Sequence, residues 1–173
     1  MDSIAVLTDA ASRPLGAVDR ILDGLDPDLL HALPEGRGNS IAWLVWHAAR
    51  QWDAQVAHLA GAAQVWEAGG WPTRTGVDRP DSEVGFGDTA EEAAALRVSS
   101  ADALRGYWQA VSDHLAAYLS GLTEASLSEV IDTSWDPPVT RGVRLISVID
   151  DAVAHLGQAQ YARGLLSGWR IGY

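Results

Sequence analysis

Four stretches of this chain repeat apolar residues every three or four positions, and no stretch alternates them in twos. A period near 3.6 marks an amphipathic helix and a period of 2 a half-buried strand, so the pattern points to helices throughout. The first segment spans 3–25, with Ile4, Leu7, Ala11, Leu15, Val18 and Leu22 on one side. Pro14 interrupts it, which predicts either a kink or a fresh start behind Ser12 as N-cap. The second opens behind Asn39 or Ser40 and stops at Gly61. The third starts near Ser99 or Ser100 and runs through Leu104, Tyr107, Val111, Leu115 and Leu119 to Gly121. The fourth begins behind Thr140, after the extended WDPPV, and ends at Ser167 with Gly168 behind it. β-branched residues are scattered and no turn separates two alternating runs, so no sheet is expected.

Residues 62–88 differ in kind, being rich in Gly, Pro and Trp without a regular period. A connection this long in a compact domain is usually functional or a crossover. A faint echo supports a crossover. GLDPDLL at 24–30 follows the first helix and GLTEASL at 121–127 follows the third, each with a capping residue and a short helical turn. The expected architecture is therefore one all-α domain over 1–173, a four-helix bundle with a long crossover between the second and third helices. GFGDTA, at 85–90, has the glycines of a phosphate loop but lacks the preceding strand such a loop needs.

Composition narrows the function. The net charge of −11, with no run of Lys and Arg, repels phosphate backbones and anionic membrane surfaces. Nucleic acid and membrane are therefore not expected partners. No purely apolar run approaches the ~20 residues of a membrane span, and the acidic start MDSIAVLTDA is unlike a basic signal peptide. A cytoplasmic protein is the expectation. The chain has no cysteine, so disulfides and protein thiol chemistry are excluded. Eight tryptophans stand against one phenylalanine. They suit a core, a pocket wall or a subunit contact, and composition does not separate these.

On the fourth helix Asp151 and His155 share one flank, one turn apart, together with Arg144 and Gln158. On the second, His47 shares a flank with Trp43 and Gln51, and Trp43 and Trp46 make the surroundings apolar. His47 is therefore expected to be buried. His58 lies about 16 Å further along the same helix, out of reach of a common ion. His31 and His114 have no partner at ligand spacing. An Asp-x-x-x-His pair is usually a surface ion pair or a hydrogen-bonded core pair, and less often half of a metal site. If the two flanks meet, His47, Asp151 and His155 converge as two imidazoles and a carboxylate with coordination positions left open. That donor set suits Zn(II), Ni(II), Fe(II) or Mn(II). No His-Glu-x-x-His, Gly-x-Ser-x-Gly or Walker-type loop offers another chemistry.

NSIAWLVWHAARQWDAQVAHLAG together with WDPPVTRGVRLISVIDDAVAHLGQAQYARGLL resembles the DinB-like superfamily, and most of all its actinobacterial branch of mycothiol-dependent transferases. The tryptophan-flanked His47 and the block His155-Leu156-Gly157-Gln158 carry the resemblance. It implies a four-helix bundle with a long crossover. It also implies a divalent metal, Zn or Ni foremost, on His47, Asp151 and His155. The family usually has His or Glu where this chain has Asp151, which is one methylene shorter. The implied activity is transfer of a low-molecular-weight thiol, mycothiol or similar, to a small electrophile, or isomerisation of that electrophile. Arg144, Arg50 and Trp43 are the implied substrate contacts, the two arginines for anionic groups, and a homodimer is the implied assembly. No catalytic acid or base is apparent. The alternative is a non-catalytic bundle that binds metal or ligand in a stress response.

Overall fold

The computed structural model describes residues 2–172. Helix α1 (Ser3–Leu22) is followed by 3-10 turns at Pro27–Leu29 and Pro34–Gly36, then α2 (Ile41–Ala60). The crossover carries three short helices, α3 (Val65–Ala68), α4 (Trp71–Thr75) and α5 (Ala90–Ala95). Helix α6 (Ala101–Ser120), α7 (Glu124–Leu127), strands β1 (Val130–Asp132) and β2 (Val139–Thr140) and the long α8 (Arg141–Ser167) complete the order. The four long helices pack as a bundle in which α2 lies against α6 and α8, and α1 lies against the same two.

The ends of these helices follow from their caps. Ser40, Ser100 and Thr140 each accept from the amide three residues on, and Gly61 and Gly168 close α2 and α8 in the left-handed region. Of the two outcomes expected at Pro14, the fresh start does not occur in helix α1. It runs through Pro14 from Asp2, whose carboxylate accepts from the Ala5 amide, and Ser12 does not start a helix. The buried ring of Pro14 packs into the core, which offsets the hydrogen bond a proline cannot donate. The echo is real as a local pattern: Asp26 caps the turn after α1 and Thr123 caps α7 after α6.

Two other expectations need correction. A small antiparallel hairpin exists, pairing Val130 with Thr140 and Asp132 with Val139. Its strands are three and two residues long and their register is irregular, too short to leave an alternating signature in the sequence. The 62–88 connection is not structureless, because it holds α3 and α4.

The core is unusually rich in indole. Trp43, Trp46, Trp52, Trp66, Trp71 and Trp108 are buried, and the Trp108 indole donates to the Val45 carbonyl at 2.8 Å. A buried polar network staples the crossover to α2. Asp53 accepts from the amides of Val65 and Trp66 and from the Tyr107 hydroxyl, so it caps α3 from another helix. Arg50 donates to Gln64 Oε1, the Tyr107 hydroxyl and the carbonyls of Asp81 and Glu83. Those bonds end one residue short of Val84.

Candidate metal centre

Helices α2 and α8 run antiparallel. The Leu59 carbonyl meets Arg141, Gln55 meets Arg144, and His47 meets Asp151 and His155. Each of His47, Asp151 and His155 offers one ligand atom, and the three atoms lie within 4.8 Å of one another. Three ligands of one ion at ~2.1 Å sit about 3.4 Å apart, so the widest gap in the triad needs to close by up to about 1.4 Å. Asp151 Oδ1 and His155 Nε2 are already 3.5 Å apart, so the short aspartate spans that part of the site.

The donor chemistry fits a cation. His47 Nδ1 meets the Val84 carbonyl at 2.5 Å, which fixes the tautomer with the proton on Nδ1 and leaves Nε2 a free lone pair. Asp151 Oδ2 and His155 Nδ1 are buried with no hydrogen-bond partner among the described residues. Orphaned buried atoms carry a desolvation penalty; an ion on the Asp151 carboxylate would relieve its oxygen, whereas an ion on His155 Nε2 would leave Nδ1 unpartnered. Burial holds the His47 pKa below the usual imidazole value, only partly opposed by the Val84 contact. His155 is displaced the other way, first by its contact with the Asp151 carboxylate.

The crossover builds one wall of this centre. Gly85 has φ +82, and a Cβ there would meet His47 Nδ1 and the Trp46 ring at 2.9 Å. Only glycine lets the backbone lie so close to the imidazole. Trp43 stacks on His47 with centroids 4.5 Å apart, and its indole donates to Asp88 at 2.8 Å. Asp88 is held in turn by Arg79 at 2.7 Å.

The triad opens into a cavity of about 650 Å³. From the triad it continues past Gln51, Ser147 and Val148 to Gln55 and Arg144, with Phe86, Trp135, Val139 and Val143 around it. Phe86 is 85% exposed and Trp135 67%, unusual for aromatic side chains without a partner.

The expected substrate contacts divide. Arg144 lines the cavity. Arg50 does not: it is fully buried, its guanidinium engaged by the crossover network, and it has no free face for an anion. Trp43 is buried behind His47 and orients that ring rather than walling the cavity. His58 is exposed on α2, and His31 accepts from the Val98 amide, so both stand apart from the centre. Sequence reasoning missed Val84, Gly85, Asp88, Phe86, Asp132 and Trp135. The paired glycines of GFGD were the available signal, marking a close backbone approach rather than a phosphate.

No curated protein matches this chain. A crystal structure described as that of a conserved protein from Enterococcus faecalis superimposes with a TM-score of 0.90 at 35% identity, covering 98% of this chain and 99% of that one. The family model described as mycothiol-S-transferase matches residues 6–168. With nearly the whole bundle inside that match, the chain belongs to the mycothiol-S-transferase family, a DinB-like family.

Proposed function

We propose that the chain is a metal-dependent transferase that joins a low-molecular-weight thiol of the mycothiol type to a small electrophile. The observation that carries this reading is the triad of His47, Asp151 and His155 lining a cavity large enough for a small molecule. A divalent ion held there, with Zn or Ni best suited, would supply the positive charge that lowers a thiol pKa from its usual ~8.5.

The chain's own groups do the remaining work. His47 is presented in a fixed tautomer, so this ligand is set before substrate arrives. The chain has no cysteine, so the attacking sulfur comes with the substrate. Phe86, Trp135 and Val143 give an apolar mouth where an uncharged electrophile can lie beside that sulfur. A homodimer is part of the proposal, and the exposed Ile146, Val153, Tyr161 and Leu165 of α8 are the surface a second copy would cover.

The test is a transfer assay on zinc-loaded and nickel-loaded protein with mycothiol and 1-chloro-2,4-dinitrobenzene. In that reaction a carbon–sulfur bond replaces the carbon–chlorine bond, chloride leaves and the thiol proton passes to solvent. Turnover well above the uncatalysed rate, abolished in His47→Ala, supports the reading. Absence of turnover with mycothiol and with other bacterial thiols would reject it.

A further inference from the structure

Trp43, His47 and Arg50 follow one another a turn apart on α2, and each meets the crossover at its own point. The Trp43 indole donates to Asp88, and His47 Nδ1 meets the Val84 carbonyl. Arg50 donates through Nε to the Glu83 carbonyl at 3.3 Å and through Nη2 to the Asp81 carbonyl at 2.6 Å. The order reverses between the two segments, so 43, 47 and 50 face 88, 84 and 83–81. His47 sits in the middle of that antiparallel contact, with a tether on either side.

Segment 81–88 has little structure of its own. It lies outside every helix and strand. Among the described residues its amides make two backbone hydrogen bonds, Glu83 to Pro80 and Asp88 to Gly85. Gly85 and Gly87 both have φ +82, and two such glycines leave a backbone free to take other paths. The position of the Val84 carbonyl therefore has to come from α2. Arg50 holds the carbonyl of the residue immediately before it.

Arg50 is itself braced. Its Nη1 donates to Gln64 Oε1 at 2.9 Å and to the Tyr107 hydroxyl at 3.3 Å, and Asp53 lies 3.5 Å away. The guanidinium carbon stands 4.7 Å from the centre of the Trp66 ring, whose indole donates to Asp81 Oδ1 at 3.1 Å. A planar fork can hold two carbonyls two residues apart while paired with Asp53, and an ammonium cannot.

We infer that Arg50 is a positioning residue of the candidate metal centre. By docking the 81–83 backbone on α2 it keeps the Val84 carbonyl on His47 Nδ1 and so keeps Nε2 free for an ion. This rests on the metal-centre reading and is independent of which thiol or electrophile reacts.

The experiment compares Arg50→Lys with Arg163→Lys. Arg163 is a matched control, a buried arginine that donates to the carbonyls of Arg20, Ile21 and Asp23 and to none of the crossover. Arg50→Lys keeps a cation beside Asp53 but loses the fork. Its zinc affinity, read by competition with a chromogenic chelator, is expected to fall by ~10–100-fold. Nitrogen-15 NMR of the metal-free, neutral ring is expected to show His47 held as Nδ1–H in the wild type and as a mixture of both tautomers in Arg50→Lys. Arg163→Lys is expected to melt earlier with both readouts unchanged. Wild-type values in a folded Arg50→Lys, or the same loss in both variants, overturn the inference. A wild-type His47 protonated on Nε2 overturns it outright. If Arg50→Lys does not fold, the wild type decides: zinc is expected to slow hydrogen exchange at Arg50 Nε–H by about tenfold or more, because coupled equilibria are reciprocal. An unchanged exchange rate overturns the inference. Wild-type protein that takes up no zinc rejects the metal-centre reading, and the tautomer readout then decides the role of Arg50 by itself.

Discussion

The indole of Trp43 lies against the imidazole of His47, with centroids 4.5 Å apart and planes within 10° of parallel. The same indole donates to Asp88 on the crossover. The orientation of a candidate ligand therefore depends on a segment 41 residues further along the chain.

Trp43→Phe keeps an aromatic plane but loses the bond to Asp88. It is expected to lower metal affinity by ~10–100-fold, the usual effect of disturbing the partners that orient a ligand. Competition with a chromogenic chelator measures this. Unchanged affinity would mean that the stacking does not position His47.

Gly85→Ala places a methyl group 2.9 Å from His47 Nδ1 at a φ of +82. It is expected to displace the Val84 carbonyl, weaken metal binding and destabilise the fold by about 1–3 kcal/mol. Gly87→Ala is the control, because Gly87 has the same φ and nothing within 4 Å. It carries backbone strain alone, so thermal melting should shift while metal affinity stays put.

Asp53 has no exposed surface, accepts from two amides and the Tyr107 hydroxyl, and pairs with the Arg50 guanidinium at 3.5 Å. Asp53→Ala strands a buried arginine and is expected to cost about 3–5 kcal/mol, seen as a fall in Tm of about 6–20 °C. Thermal denaturation of metal-free protein checks this without reference to activity.

In metal-free protein His155 should titrate above the ordinary imidazole range and His47 below it. Falling pH therefore protonates His155 first, and metal affinity declines through its pKa because the ligand must be neutral. Asp151→Asn removes the carboxylate that raises His155, so its titration should move down. Imidazole carbon-bound proton shifts followed by NMR across pH read both rings. A His155 titration unmoved by the substitution would contradict the assigned cause.

The helices were legible because Leu104, Tyr107, Val111, Leu115 and Leu119 all turn to the core, as a 3.6-residue period requires. The triad residues were identifiable because two lie one turn apart and the third sits among tryptophans on the helix that packs alongside. The rest of the centre was not legible, for a physical reason. Val84 acts through a backbone carbonyl, which carries no residue identity. Asp132 neutralises Arg144 from a hairpin too short to announce itself. Arg50 misled because a guanidinium looks alike in sequence whether it faces solvent or, as here, four acceptors of the protein itself.

The central claim is that His47, Asp151 and His155 hold a single divalent ion. Elemental analysis of protein made without a histidine tag, dialysed against zinc and then against buffer, tests it most directly. One zinc per chain in the wild type, and loss of it in His47→Ala, in His155→Ala and in Asp151→Ala, is the predicted result. Zinc retained in the triple variant, or no zinc retained by the wild type with either zinc or nickel offered, would contradict it.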